Sequence, residues 1–281
     1  MSSRGENLSD VRPIIGTYGH GTHNDFVIIF DPENDQRLAH ALTEKNIAAI
    51  CNRNSGVGAD GVIRISKNSD KWFMDYRNSD GSIAEMCGNG IRVMARYLVD
   101  RGFQKSGIFP ILTRAGQKFL QVPDHGDISV NMGQVAQEPG DIEVHHNGHT
   151  WRGAHISVGN PHAVVFVSAL SEVGSLAHPP QVTPASAYPD GVNVEFVEEL
   201  SSGELAYRVH ERGSGETQSC GTGTCAVALA ATIRAGKTLP IRWVIHAPGG
   251  RLEVEIDPHS NAILTGPAVL LDDHDLSRYL A

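Results

Sequence analysis

The chain has little sulfur chemistry to spare: four cysteines in 281 residues, and no CxxC pair among them. That spacing speaks against a structural zinc site, as do the two glycines inside the four residues separating Cys220 from Cys225. No block of basic residues is present, and 23 Lys and Arg against 32 Asp and Glu leave a formal charge of −9, which argues against nucleic-acid binding. No apolar run reaches the roughly 18 residues of a membrane span; the longest lies around Cys225 to Ile233. The first ten residues, Met1 to Asp10, are polar and lack the apolar stretch of a secretory signal. There is no Gly-rich pyrophosphate motif, no P-loop and no pyridoxal-phosphate lysine context. These absences lead to an expected cytoplasmic protein with reduced thiols, no metal and no cofactor.

What is present is a cysteine motif that occurs twice. The first copy is Cys87-Gly88-Asn89-Gly90 and the second Cys220-Gly221-Thr222-Gly223, each leading into a helical pattern. A helix N-terminus carries unpaired N–H groups and a partial positive charge of about half a unit. A cysteine there is expected to have a lowered pKa. The flanking glycines let a ligand approach the amides, making a nest suited to a carboxylate. Two such motifs face to face suit inversion at a carbon, one residue removing a proton as the other returns one. The remaining cysteines read as small core residues: Cys51 beside Ile47 and Ile50, and Cys225 in an Ala-rich helix.

Other landmarks repeat too. Asn24 leads an apolar strand, as does Asn160; Asp60-Gly61 matches Asp190-Gly191; Tyr76-Arg77 matches Tyr207-Arg208; and Cys87 matches Cys220. The nearly constant offsets of 136, 130, 131 and 133 residues indicate an internal duplication. The fold expected is α+β: two pseudo-symmetric domains, each a mixed β-sheet around one central helix. Helices are expected over Thr43 to Cys51, from Asn89 to Gly102 with Ile91, Met94 and Leu98 on one face, and from Thr222 to Gly236. Strands are expected over most of the rest, including one continuous strand from Ala262 to Leu271. The domains are expected at 14–130, completed by a strand in 264–281, and at 131–263.

With these motifs the chain resembles the diaminopimelate epimerase family along nearly its whole length. Segments carrying the resemblance include Gly21 to Phe26, Gly56 to Gly61, Tyr76 to Gly81, Met86 to Gly90, Val158 to His162, Gly191 to Asn193, His210 to Gly213 and Cys220 to Thr224. It departs at His23, where glycine is common, at Gly61, where some members carry a polar residue, and at Cys225, where a small residue is typical. The resemblance implies cofactor-free interconversion of LL- and meso-diaminopimelate, on the bacterial route to lysine and peptidoglycan. It implies Cys87 and Cys220 as the acid/base thiols, with the amides of Gly88, Asn89, Gly221 and Thr222 on the substrate carboxylate. Asn24, Asn78, Asn160, Asn193, Glu211 and Arg212 match substrate-contacting positions, and His162 is a candidate for tuning the site. A homodimer is a further expectation. On residue chemistry alone the asparagines also suit turns, and Glu211 and Arg212 a surface pair. Proline-type racemases and thiol redox proteins are the rival classes; the former tend to have His where Asn89 stands. Thiols flanking one carbon are also expected to approach closely enough to oxidise to a disulfide.

Overall fold

A computed structural model describes residues 13–280; the Met1 to Asp10 segment and Ala281 lie outside the described residues. The first half runs β1 (Ile15–Gly21), β2 (Asn24–Phe30), α1 (Gln36–Ala41), α2 (Glu44–Cys51), β3 (Gly61–Asn68), β4 (Lys71–Asn78), α3 (Gly88–Asp100), β5 (Gly107–Thr113), β6 (Gly116–Val122) and β7 (Ile128–Gln134). Two short strands follow, β8 (Ala136–Gln137) and β9 (Ile142–His146). The second half runs β10 (His149–Ser157), β11 (Pro161–Phe166), β12 (Gln181–Thr183), β13 (Asn193–Ser201), β14 (Glu204–Glu211), β15 (Gly215–Thr217), α4 (Gly221–Arg234), β16 (Ile241–Ala247), β17 (Gly250–Ile256) and β18 (Asn261–Gly266). Then come β19 (Val269–Asp275) and α5 (Ser277–Leu280).

The pairings of the two halves coincide strand for strand. β1 lies antiparallel to β2, β2 parallel to β3, β3 antiparallel to β4, and β4 parallel to β5. The second half repeats this as β10, β11, β13, β14 and β16. The last strands of each repeat, β7 and β18, pair with one another. Val130 faces Leu264 there, and the two are equivalent, since Val130 also pairs with Leu120 and Leu264 with Val254. The pseudo-twofold axis therefore passes between them. Each repeat then sends a strand to its sister: β8 pairs with β10, and β19 pairs with β1.

The strand register also corrects two of the sequence matches. Phe26 pairs with Gly61 as His162 pairs with Asn193. Gly61 thus corresponds to Asn193 rather than Gly191. Ile63 faces Tyr76 where Glu195 faces Val209, so Tyr76 corresponds to Val209 and not to Tyr207. Both landmarks slip by two residues, which keeps each side chain on the same face of its strand. The expected strand from Ala262 to Leu271 is two strands, broken around Pro267, which has no N–H to give a ladder. The expected boundary at 130/131 falls inside β7, and 264 falls inside β18. Three strands escape the pattern for local reasons. β1 contains three glycines, β5 carries Pro110, and β10 is interrupted by Arg152 and Gly153.

The two central helices are wrapped on all sides. From Gly88 to Leu98 every residue of α3 is buried, as is nearly all of α4 up to Thr232. Ile91, Met94 and Leu98 are buried as expected, and Arg92 and Arg96 are buried as well. Arg96 is tolerated because its guanidinium donates to the carbonyls of Pro123, Asp124 and Gly126. A second cluster lies outside the first sheet, where Val27, Ile29, Ile47 and Ile50 meet Leu276. Leu276 is wholly buried just after the exchanged strand β19, against the position of Gly16. Leu276→Ala should lower unfolding free energy by about 2–5 kcal/mol. Urea denaturation checks this, and a loss under about 1 kcal/mol would show that the exchanged strand is not anchored there.

Candidate active site

Cys87 and Cys220 are the N-caps of α3 and α4, so each helix begins one residue earlier than expected. Each sulfur accepts from the amide three residues on, Gly90 N to Cys87 Sγ at 3.4 Å and Gly223 N to Cys220 Sγ at 3.4 Å. The amides of Gly88, Asn89, Gly221 and Thr222 belong to the first turns and have no intrahelical acceptor. The two helix starts meet head to head. A Cβ built on Gly221 would stand 3.1 Å from Gly88 Cα, closer than an ordinary carbon contact of about 3.5–4.0 Å. A side chain there would push the two helix starts apart by a few tenths of an ångström.

Around Cys87 the groups are amides and an acid that aims them. Cys87 Sγ donates to Asn24 Oδ1 at 3.6 Å, and Asn24 Nδ2 donates to Asp60 at 2.8 Å. Arg53 bridges Asp60 and Asp25. Asn89, wholly buried, donates to Asn24 Oδ1 at 3.2 Å and across the axis to Ser219 O at 3.0 Å. Thr22 Oγ1 reaches Ser219 Oγ at 3.0 Å and Asn89 Oδ1 at 3.4 Å. Thr22 and His23 form the two-residue turn between β1 and β2, with φ of 51° and 56°. A turn with both φ positive suits the strand twist, yet a β-branched residue there is strained. The strain puts the Thr22 hydroxyl at the seam between the halves.

Around Cys220 the groups are ionisable. His162 Nδ1 bonds Glu195 Oε1 at 2.7 Å, and both side chains are completely buried. His162 Nε2 bonds Asn160 Oδ1 at 3.1 Å, Asn160 Nδ2 donates to Thr222 Oγ1 at 3.3 Å, and that hydroxyl lies 3.5 Å from Cys220 Sγ. Glu195 Oε2 has no partner among the described residues. Glu195 Oε1 would be 2.7 Å from a Cβ on Gly223, so the carboxylate presses on the first turn of α4. Glu211 accepts a short hydrogen bond from Thr217. Tyr207 Oη donates to Cys220 O at 3.1 Å and fixes the cap.

Burial dominates the thiols. It pushes Cys87 up to about 11 against the help of the Gly90 and Asn89 amides. It pushes Cys220 well above the ordinary range, with Glu211 and Glu195 adding to the rise. The lowered values expected from the helix ends are therefore not found: desolvation outweighs the amide bonds and the dipole. Burial also raises Glu211, against its bond from Thr217. Cys51 and Cys225 are core thiols, each pushed up by burial to about 12. All four cysteines are free.

Hydrogen bonds join Asn24, Cys87 and Asn89 into one network, and Asn160, His162, Thr222 and Cys220 into another. Asn193 accepts from the Arg212 amide, and the exposed Arg212 guanidinium donates to Asp190 O. Asn78 is held separately by Ser82, at the end of β4. The residues missed by sequence reasoning are Thr22, Ser219, Arg92, Glu195, Tyr207 and Thr217. Two of them carried a signal: Glu195 is a lone charge in the apolar strand Asn193-Val194-Glu195-Phe196-Val197, and Arg92 sits between Ile91 and Val93. Among the described residues no three His, Cys, Asp or Glu side chains group to hold a metal ion, and no helix is long and apolar enough to cross a membrane. A hollow of about 480 Å³ lies elsewhere, between Thr17, Phe30, Tyr97 and Asp273, and none of the expected site residues lines it.

The family model for diaminopimelate epimerase matches residues 16–137 and 154–271. A diaminopimelate epimerase of Streptomyces coelicolor is 45% identical, over 90% of this chain and 92% of its own. One from Thermobifida fusca is 42% identical, over 92% and 96%. One from Corynebacterium glutamicum is also 42% identical, over 90% and 94%. Among solved structures, a PhzF-family phenazine biosynthesis protein of Bacillus anthracis superposes with a TM-score of 0.73 at 15% identity, covering 94% of this chain and 99% of the other. A hydroxyproline epimerase of Agrobacterium vitis superposes with a TM-score of 0.69 at 16% identity, over 94% and 92%. These two likenesses establish the fold.

Asn89 ties the two halves together at the seam. Asn89→Ala would leave Ser219 O and an Arg92 N–H buried without partners, at about 1–3 kcal/mol each. The expected outcome is a clear drop in denaturant midpoint; an unchanged midpoint would mean that water replaces the amide.

Proposed function

The chain belongs to the diaminopimelate epimerase family, and from that premise we propose that it interconverts LL- and meso-diaminopimelate by two-thiol acid/base catalysis. It is an isomerase acting on a small molecule, in the formation of lysine and peptidoglycan precursors. The observation that carries the mechanism is the head-to-head meeting of two helices whose N-caps are both cysteines. The substrate α-carbon sits between the sulfurs. One thiolate takes the α-proton, and the opposite thiol gives a proton to the other face. The pair emerges with its roles exchanged and the charge unchanged.

The carboxylate at the reacting carbon takes the first-turn amides of Gly88, Asn89, Gly221 and Thr222. These amides stabilise negative charge as it develops on deprotonation. For Asn89 the backbone alone serves, because its side chain is engaged at the seam. Asn24 and Asn160 border the two thiols. Asn78, Asn193, Glu211 and Arg212 take the remaining carboxylate and ammonium groups: a guanidinium suits the first and a carboxylate the second. His162, tied to Glu195 and Asn160, tunes the Cys220 side. The reading calls on no cofactor. A cytoplasmic setting is supported by the four free thiols. A homodimer is supported by apolar Ile108 and Phe119, exposed on the β5–β6 hairpin.

The test is incubation of LL-diaminopimelate in D2O, followed by NMR and chiral chromatography. Meso product with deuterium at one stereocentre is expected, and its absence with folded protein would end the assignment. Cys87→Ala and Cys220→Ala should each lower turnover by about 10²–10⁴-fold or more. Undiminished turnover in either one would end the two-thiol mechanism while leaving the substrate assignment standing.

A further inference from the structure

Arg92 is completely buried one turn into α3, yet its hydrogen-bond partners are neutral. Its Nη1 donates to Gly88 O at 3.1 Å, its Nη2 donates to Asn89 Oδ1 at 3.0 Å, and its Nε has no partner among the described residues. A buried charge without a counter-ion is costly, and a fold that keeps one has a use for the field it creates. The room for it is specific. A Cβ at Gly21 or at Gly266 would lie 3.3 Å from the guanidinium. The ionisable groups around Arg92 are Cys87 on its own helix, Asp127, Cys225 on α4 and Tyr207 on β14. Burial holds the guanidinium down at about 10, and Cys87 leads the groups that oppose that fall.

The sister helix has no such cation. Five residues after its N-cap, where α3 has Arg92, α4 has Cys225. Inward positions held by Phe26 and Ile63 in the first half are held by His162 and Glu195 in the second. The groups facing Cys220 are thus Glu211 and Glu195, with Thr222 beside it and Tyr207 on its cap. Those facing Cys87 are Arg92 and Glu211, with Tyr76 from β4. Glu211 faces both thiols, so the two sides differ by a cation, Arg92, beside Cys87 and a carboxylate, Glu195, beside Cys220.

We propose that Arg92 is a positioning residue that biases which thiol ionises first: its fixed cation favours the thiolate at Cys87, while Glu195, on the other side only, keeps the proton on Cys220. Arg92 does so without touching substrate, through its charge and through Asn89, whose amide it orients toward Asn24 and Ser219. The inference rests on the two-thiol reading.

The test is alkylation of the full-length protein by iodoacetamide at pH 9, with the rate at each cysteine read by peptide mass spectrometry. Below the midpoint the rate follows the thiolate fraction, so one pKa unit is about tenfold. Arg92→Met should slow Cys87 about tenfold and leave Cys220 within about threefold of wild type. Arg92→Lys, which restores the charge, should return Cys87 to within about threefold. An unchanged Cys87 rate in folded Arg92→Met overturns the inference, as does a Cys87 rate in Arg92→Lys as slow as in Arg92→Met. Should Arg92→Met not fold, Glu195→Gln decides: a rise in the Cys220 rate supports the assignment, and an unchanged rate overturns it. Failure of the two-thiol reading would appear elsewhere, as turnover in the single-cysteine variants; failure of this inference leaves those variants inactive.

Discussion

The contact between Gly88 and Gly221 is the constraint on which the molecule is built. Two helices point their N-termini at one another, each end carrying about half a positive charge and several unused amides. Such ends repel, and they stay together only because everything else in the fold holds them there. Each helix is enclosed in its own sheet. The sheets are joined by β7 and β18 at the axis, and each half lends a strand to the other through β8 and β19. The seam is then tied by Asn89, Thr22 and Ser219. An anion placed between the helix ends relieves the repulsion, so the same feature that costs stability is suited to a carboxylate.

Symmetry of backbone does not extend to chemistry. Asn24 and Asn160 occupy equivalent positions and both approach a thiol, but their amides are aimed by different devices. Asp60 accepts from Asn24 Nδ2 and turns its oxygen toward Cys87. His162 bonds Asn160 Oδ1 and turns its nitrogen toward Thr222, next to Cys220. Asn78 and Glu211 also correspond, since Arg77 lies opposite Val62 as His210 lies opposite Val194. A neutral amide in one half thus matches a half-buried carboxylate in the other. A reaction that runs between two faces of one carbon needs matched reach. A substrate whose two ends differ in stereochemistry needs unmatched contacts.

Much of this was legible in the sequence, and the limits have physical causes. The twin motif, the duplication and the central helices follow from local signals: glycines at a helix start, repeated punctuation and an Ala-rich run. The strand exchange does not, because β8 and β19 are defined by partners in the opposite half. The two-residue slips at Tyr76 and at Asp60 arose for a similar reason. Motif letters can recur at a position shifted by one strand period, and only the ladder shows which residues face the helix. Glu195 and Arg92 were visible as isolated charges in apolar surroundings. Each lies two residues beyond a recognised motif, and only burial beside the thiol helices singles them out.

The thiols illustrate why a motif cannot be converted to a pKa. A helix N-cap in water would make a cysteine more acidic, and the amides of Gly90 and Gly223 do act in that sense. Their effect is overwhelmed because the seam that brings the helices together also removes the water. Glu211 is caught in the same way, its carboxyl raised by burial beside a thiol that is raised as well. Burial therefore keeps the protons on the thiols, and either sulfur, once ionised, is a strong base. What can change this is the charge of a ligand. An ammonium group next to Glu211 and Cys220 replaces lost hydration with attraction and favours the ionised forms of both. The carboxylate that the helix ends attract acts in the opposite direction on the thiols, unless the free amides absorb its charge first. The enclosure, the amides and the buried charges are then parts of one device: burial holds the protons on the thiols, and the charged groups of a substrate supply a field that shifts them.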